Sequence, residues 1–170
     1  LCDAMPVLKY VNLSHNEFKD FPFCFVHESS RVKVLNLSHN KIEMKSYPSL
    51  RGSNSMMLED LNLSYNGETC FPERLGELFP GLTSLYVSGN SIKTLPDCSL
   101  NLPQLKTLDL SNNQLSEIPP EFFLDSSALE TLLASSNILS ALPEAAAPSL
   151  KNLKTVRLNK NKLEIGRAHV

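Results

Sequence analysis

Four cysteines and four histidines are the residues of this 170-residue chain best suited to chemistry, and they form no catalytic motif. The positions of Cys2, Cys24, Cys70 and Cys98 lack the paired spacing of a metal knuckle or a redox pair. The sequence contains no glycine-rich phosphate loop and none of the motifs G-x-S-x-G, H-E-x-x-H or the kinase catalytic motifs. We therefore expect that the chain is not an enzyme and needs no cofactor.

His15 and His39 are 24 residues apart because a longer pattern repeats along the chain. Residues 105–115, LKTLDLSNNQL, show its frame of L-x-x-L-x-L-x-x-N-x-L. Side chains alternate along a strand, so Leu108 and Leu110 share one face. The frame occurs seven times, at intervals of 23 to 26 residues between its asparagines: Asn16, Asn40, Asn66, Asn90, Asn113, Asn137 and Asn161.

Three apolar columns accompany the asparagines. The first is Leu8, Val32, Leu58, Leu82, Leu105, Leu129 and Leu153. The second is Val11, Leu35, Leu61, Leu85, Leu108, Leu132 and Val156. The third is Leu13, Leu37, Leu63, Val87, Leu110, Ala134 and Leu158. Five copies add an apolar residue and a proline after the asparagine: Phe21-Pro22, Phe71-Pro72, Leu95-Pro96, Ile118-Pro119 and Leu142-Pro143.

The frame is the signature of the leucine-rich repeat, and the resemblance covers residues 8–163. It implies an α/β fold: a right-handed solenoid, or horseshoe, with a parallel concave β-sheet. The convex face would consist of short helices, 3₁₀ turns and loops. After a flank at 1–7, the repeats run over 8–31, 32–57, 58–81, 82–104, 105–128, 129–152 and an incomplete 153–163.

Residues 164–170, EIGRAHV, break the frame, because the pattern requires an apolar residue and a proline there. This tail resembles the in-frame translation of a sequencing adapter, and a genuine short C-terminus is the alternative. The chain also begins inside a repeat and without Met. We therefore expect an artefactual tail and a chain that is a piece of a longer protein.

The segments between strands differ in their signals. Residues 41–57 lack the proline and contain Gly52 in a polar run, which predicts a loop. Apolar spacing after Pro72 predicts a short helix, and PPEFFLDSSAL at 119–129 is a second helix candidate. The segments that lead from one strand to the next are called returns. The return at 95–105 is expected to be irregular or 3₁₀-helical. Because an unpaired buried carboxylate is costly, we expect Glu68 to turn outward.

Repeat six carries Ala134 at a core position where other repeats have a larger side chain. We expect a larger neighbour to pack against it or a void to remain.

The asparagine column should form a ladder whose amides satisfy backbone groups left open by the turns. The outward strand positions should form a partner-binding concave face. Tyrosine is a frequent interface anchor. The candidate contact residues are Tyr10, Asn12, His15, Asn36, His39, Asn62, Tyr65, Tyr86, Asp109 and Arg157. An ordinary solvated sheet is the alternative for each of these residues.

His15 and His39 fall on neighbouring repeats, with Tyr65 beyond them. A metal site would require a third strong ligand, and the sequence places none there. We expect two stacked surface histidines that repel each other when protonated, and no metal.

Composition limits the partners. A net charge of −2 and a pI near 6.1 give no electrostatic reason to expect nucleic acid or an anionic membrane. No apolar run reaches the ~20 residues of a membrane helix. Scattered cysteines without a clustered cap favour free thiols and the cytoplasm. The counter-signal is three N-x-S sequons at Asn12, Asn36 and Asn62, which the repeat frame itself produces.

The long second return, NLSYN at 62–66 and the weakened LLASSNILSALP at 132–143 resemble the repeat region of Roco-type leucine-rich repeat kinases. That resemblance implies GTPase, COR and serine/threonine kinase domains elsewhere in the parent, with the repeats as a regulatory segment. The expected function is protein–protein interaction through the concave face, within a larger intracellular protein. The partner would be another protein or another domain of the same chain. The ectodomain of a secreted or receptor protein is the alternative.

Overall fold

Seven short parallel strands form one sheet, with one strand in each sequence repeat. The computed structural model describes residues 4–27, 30–43, 57–72 and 74–164. The strands are β1 (Tyr10–Asn12), β2 (Val34–Asn36), β3 (Asp60–Asn62), β4 (Ser84–Tyr86), β5 (Thr107–Asp109), β6 (Thr131–Leu133) and β7 (Thr155–Arg157). They pair in chain order from β1 to β7. The predicted α/β leucine-rich repeat solenoid is confirmed.

Equivalent residues of neighbouring repeats lie directly opposite each other. Leu35 pairs with Val11 on one side and Leu61 on the other, and this register continues to Leu132 and Val156. The middle residue of each strand from β1 to β6 is buried in the core, and Leu35 and Leu61 are fully buried. Full burial of such a side chain stabilises the fold by roughly 1.5–3 kcal/mol. A single repeat unit therefore gains its stability from the repeats stacked on each side.

The returns between strands form the convex side. An α-helical turn, α1 (Leu75–Leu78), lies where the apolar spacing predicts a short helix. Pro120–Phe123 is a 3₁₀-helix, a tighter form than the helix expected there. Phe23–Phe25 and Glu144–Leu150 are also 3₁₀-helices. Residues 95–105 are irregular, as predicted. The loop predicted around Gly52 and the tail at 165–170 lie outside the described residues.

Phenylalanine rings tie the returns together. Phe21 of the first return stacks on Phe79 of the third, with ring centroids 5.8 Å apart. Phe71 meets Phe122 edge to face at 5.3 Å. Both contacts join returns two repeats apart, so the convex side adds cohesion that the strand register alone does not supply. Edge-to-face pairs contribute roughly 0.5–1.5 kcal/mol beyond their burial.

Glu68 occupies a position that is apolar in the other repeats, and the prediction that it turns outward is wrong. The residue is only 6% exposed. Its backbone is held in the ladder, since its N–H donates to Asn90 Oδ1 at 3.1 Å and its carbonyl accepts from the Ser91 N–H at 2.6 Å. The chain path is therefore fixed, and the side chain takes the inward direction of its apolar counterparts. Phe71 is buried as well.

Repeat six departs from the apolar pattern in two places. Ala134 is fully buried, so neighbouring residues close over the small side chain. Leu142, which precedes the repeat's proline, is 38% exposed, whereas Phe21 and Ile118 at the same position are buried. The 3₁₀-helix that follows Leu142 buries Ala146 instead.

Candidate interaction surface

The first and third residues of each strand face away from the core and form the concave surface. They are partly buried by their neighbours on β2 to β6 and exposed on β1 and β7. Seven of the ten predicted contact residues lie here: Tyr10, Asn12, Asn36, Asn62, Tyr86, Asp109 and Arg157. Among the described tyrosines, Tyr10 at the sheet edge is the most exposed, at 70%.

The other three predicted contact residues form an aromatic row beside the sheet, made of His15, His39 and Tyr65. The two imidazole rings stack with centroids 4.2 Å apart and planes within 10°. Tyr65 continues the stack at 4.5 Å and 8°. All three residues have positive φ, between 55° and 58°, and stand just before the ladder asparagines. The sequence predicts the stacked histidines but not the left-handed backbone that presents them.

Gly89 ends the aromatic row, because it takes the next left-handed position at φ 65°. A Cβ on Gly89 would lie 2.2 Å from Cε1 of Tyr65. The Tyr65 ring therefore lies against the bare glycine backbone, and this contact requires the absence of a side chain there.

The aromatic row is not built for metal. Its imidazole planes are nearly parallel, so the in-plane nitrogen lone pairs of His15 and His39 cannot converge on one ion. Across the described ranges, no three His, Cys, Asp or Glu side chains form a group that could hold a metal ion.

The three N-x-S sequons have a structural use at the ends of the strands. The Asn12 Oδ1 accepts from the Ser14 N–H at 3.0 Å and from the Ser14 hydroxyl at 2.7 Å. Asn36 makes the same pair of bonds to Ser38, and Asn62 Oδ1 accepts from the Ser64 N–H. These side chains close the turn that leaves each strand, which accounts for the recurrence of the NLS sequence.

The ladder asparagines join each turn to the turn of the preceding repeat. Asn113 Nδ2 donates to the carbonyl of Leu110 in its own repeat and of Val87 in the preceding one, both at 3.0 Å. Its Oδ1 accepts from the Ile92 N–H at 3.1 Å. The same pattern links the other interior repeats. Asn40, Asn66, Asn90, Asn113 and Asn137 are buried, whereas Asn16 at the end is exposed.

Asp60 is a concave-face residue that the sequence reasoning did not select. It is the first residue of β3, with Val34 and Ser84 as its Cα partners. The side chain is half-buried, and desolvation raises its pKa above the ordinary value of an aspartate. None of the described residues forms an ion pair or a side-chain hydrogen bond with its carboxylate. The sequence could have identified Asp60, because it places a carboxylate at an outward strand position.

Two ion pairs occupy one column just before the strands. Lys33 Nζ lies 2.7 Å from a Glu59 oxygen, and that hydrogen bond raises the lysine pKa. Lys154 Nζ lies 2.8 Å from Glu130, whose pKa is lowered chiefly by the hydrogen bond. Exposed pairs of this kind contribute little to stability. They join neighbouring repeats and do not involve the outward strand residues of the concave face.

The cysteines divide into two groups. Cys24 is disulfide-bonded, and the expectation that all four cysteines are free thiols is therefore wrong. Cys70 and Cys98 are free and exposed, and Cys2 lies outside the described residues. Scattered sequence positions did not reveal the disulfide, because distance along the chain does not report distance in space.

Comparison with known proteins agrees with this geometry. Two family models, both described as leucine rich repeat, match residues 80–139 and 31–53. Osteomodulin of Rattus norvegicus is 32% identical over 92% of this chain and 36% of its own length. Human Podocan-like protein 1 is 29% identical over 85% of this chain and 28% of its own length. The chain thus spans about a third of these relatives.

Solved structures show the same fold. A leucine-rich repeat protein of Leptospira interrogans superposes with a TM-score of 0.78 and 33% identity, over 94% of this chain and 39% of its own. YopM of Yersinia enterocolitica superposes with a TM-score of 0.62 and 30% identity. The match covers 94% of this chain and 30% of the YopM chain. The parallel sheet and asparagine ladder define a repeat solenoid. The chain belongs to the leucine-rich repeat proteins.

One relative has an enzyme's name. The human PH domain leucine-rich repeat-containing protein phosphatase 1 is 30% identical over 80% of this chain, but over only 8% of its own length. Catalysis is not carried over from so small a share. None of the relatives reported above bears a Roco-type kinase name, so that resemblance stays without support. In the described ranges, no helix is long and apolar enough to span a membrane.

Proposed function

We propose that the chain is a protein-interaction module that binds a protein partner on its concave face, as part of a larger intracellular protein. The observation that carries the proposal is the continuous seven-stranded face, whose outward residues in every repeat lie outside the core. Tyrosines stand on or beside it at Tyr10, Tyr65 and Tyr86. Large, rigid rings of this kind supply contact area at low conformational cost.

The test compares matched substitutions on the two sides of the molecule. Tyr65→Ala and Tyr86→Ala should each weaken binding of a protein captured from cell extract by more than ~1 kcal/mol. Glu77→Ala on the convex α1, an exposed residue whose one ion-pair partner among the described residues is its own-turn neighbour Arg74, should change binding little. Isothermal titration measures the affinity, and thermal melts show that each variant folds. Loss of binding in Glu77→Ala alone would mean that the face is wrongly assigned.

A cytoplasmic location belongs to this proposal, and the exposed free thiols of Cys70 and Cys98 support it, because reducing compartments preserve such groups. The partner would then be a separate protein or another domain of the same chain. A regulatory segment of a Roco-type kinase is one form of the second case. Sequencing the transcript beyond residue 163 tests it directly.

A second candidate, an ectodomain of a secreted or receptor protein, is favoured by the disulfide at Cys24. Mass spectrometry of the native protein separates the two. The cytoplasmic proposal requires unmodified Asn12, Asn36 and Asn62 in the native protein. A glycan on any of these asparagines would establish the ectodomain instead.

A further inference from the structure

Charge is distributed unevenly along the solenoid. Residues 1–150 contain ten Lys and Arg against seventeen Asp and Glu, a formal charge of −7. Residues 151–170 contain six against one, a formal charge of +5, which gives the −2 of the whole chain. The small net charge therefore conceals an acidic body and a basic last repeat.

The concave face follows the same division. The outward residues of β2 to β5 include two carboxylates, Asp60 and Asp109, and no cation. Arg157 on β7 and Lys160 in the turn after it are exposed. Neither cation has an ion-pair partner in the part of the chain that the structure describes. A partner lying along the face thus meets negative charge at the centre and positive charge at one end.

Asp60 and Asp109 each have carboxylate oxygens that can accept hydrogen bonds from a binding partner. Asp60 is half-buried, has no cation beside it among the described residues, and its ionised form is disfavoured by desolvation. Asp109 Oδ1 accepts from the Ser111 N–H at 2.9 Å, which uses one of its two oxygens. Tyr86 is the Cα partner of Asp109, so an aromatic ring stands beside that carboxylate. Charged groups of the opposite sign placed here would form charge-assisted hydrogen bonds.

The positions of the two carboxylates suggest the spacing of the groups that would meet them. Asp60 opens β3 and Asp109 closes β5, two strands away. With strand separations near 4.8 Å and about 3.3 Å per residue, their Cα atoms are roughly 11–12 Å apart. One metal ion cannot bridge that distance. Four residues of extended chain, at about 3.3 Å each, cover it and leave the two side chains on the same face.

We infer that the concave face over β3 to β5 binds an extended protein segment with two basic side chains four positions apart, one for Asp60 and one for Asp109. This inference rests on the proposed function and adds the chemistry of the partner. The cations at Arg157 and Lys160 repel a basic segment shifted toward β7, and so help to set its position.

The experiment selects ligands from a random twelve-residue peptide library displayed on phage, with the immobilised 170-residue chain as target. Selected peptides should carry two Lys or Arg residues at a spacing of four. Their affinity should fall at least tenfold for the Asp60→Asn/Asp109→Asn double variant and should weaken as salt is raised. The control, Asp97→Asn/Glu117→Gln, changes the net charge equally on the groove lined by Thr94 and Pro119, away from the sheet face.

The outcomes are distinguishable. Equal losses in the double variant and the control would show a net-charge effect and overturn the inference. Peptides that are not basic, yet lose affinity with Tyr86→Ala, would overturn the basic-partner inference and leave the concave-face proposal standing. Peptides insensitive to both Tyr86→Ala and the double variant would overturn both.

The melting temperature of Asp60→Asn shows whether a loss of peptide binding comes from a loss of folding. Because burial raises the folded-state pKa of Asp60, its ionisation opposes folding, and this cost appears as the pH rises through that pKa. Asp60→Asn should therefore raise the melting temperature at pH 7 and give no gain at pH 3. A more stable variant that binds selected peptides more weakly would place Asp60 in the contact. A melting temperature lowered at pH 7 would assign it a structural role instead.

Discussion

Each interior ladder asparagine satisfies backbone groups in its own repeat and in the repeat before it. Asn90 Oδ1 accepts from the backbone N–H groups of Asn66 at 2.9 Å and Glu68 at 3.1 Å. Its Nδ2 donates to carbonyls that include Leu63 and Val87. The side chain is buried, so water cannot replace these bonds when it is lost.

Asn90→Ala should lower the free energy of unfolding by about 2–4 kcal/mol, since each buried group left unsatisfied costs ~1–3 kcal/mol. Asn16→Ala is the matched control, because Asn16 is exposed and, among the described residues, its Nδ2 donates to the carbonyls of Leu13 and Ser14 in its own turn and to none in another repeat. That change should cost well under ~1 kcal/mol. Urea denaturation measures both. Equal costs would show that contacts to the preceding repeat add nothing.

Gly89 is constrained by its backbone angle and by the Tyr65 ring. Gly89→Ala should destabilise the fold by more than the ~1–2 kcal/mol of left-handed strain, because the new Cβ would lie 2.2 Å from the ring. In a Tyr65→Ser background, the same change should cost only the strain. A double-mutant cycle by thermal unfolding checks this non-additivity. Additive costs would mean that the ring moves aside freely.

The positions of the ladder and the stacked histidines could be predicted, because each follows from the asparagine frame and its period. The left-handed residues could not. His39, Ser136 and Lys160 adopt positive φ without being glycine, and residue type gives no signal for it. Asp60 was missed for a different reason, since its half-burial depends on neighbours from two other repeats.

At the scale of elements, α1 packs against the return of the next repeat through a glycine. A Cβ on Gly76 would lie 2.3 Å from the carbonyl oxygen of Asn101. That oxygen belongs to the backbone and cannot rotate away as a side chain would. The absence of a side chain at Gly76 thus allows repeats three and four to approach on the convex side.

Gly76→Ala should therefore destabilise the chain by ~1–3 kcal/mol, the usual cost of overpacking. Gly67→Ala serves as a control, because nothing lies within 4 Å of its Cβ position and only its φ of +76° opposes alanine. Hydrogen exchange should show faster opening around α1 and residues 95–105 in Gly76→Ala. If the two variants lose equal stability and exchange alike, close packing at Gly76 is not the cause.

The strands could be predicted because three residues with one buried centre recur at a fixed register. The convex elements were harder, since they lack a common period. Glu144–Leu150 reads EAAAPSL, and its alanines and internal proline give no amphipathic signal for the 3₁₀-helix found there. In PPEFF, the paired phenylalanines suggested a helix, but only a 3₁₀ turn forms.

At the scale of the whole molecule, the solenoid has two open ends. Among the described residues, β1 and β7 each pair on one side only. Val7 is 73% exposed near β1, and Val156 on β7 is 43% exposed, whereas Leu35 and Leu108 of the interior strands are fully buried. Open strand edges with exposed apolar side chains are templates for association with another chain.

The 170-residue chain should therefore be marginally stable and self-associate through these ends. A capping repeat with a polar outer face, fused before residue 8 and after residue 163, should make it monomeric and raise its melting temperature, because it would cover Val156 and Leu163 and pair the free strand edges. Sedimentation velocity over a range of concentrations measures the association. Val156→Lys, which adds a charge at the open edge without a cap, should reduce association on its own. A bare chain that sediments as a monomer and melts cooperatively at high concentration would contradict the assignment of these ends as association sites.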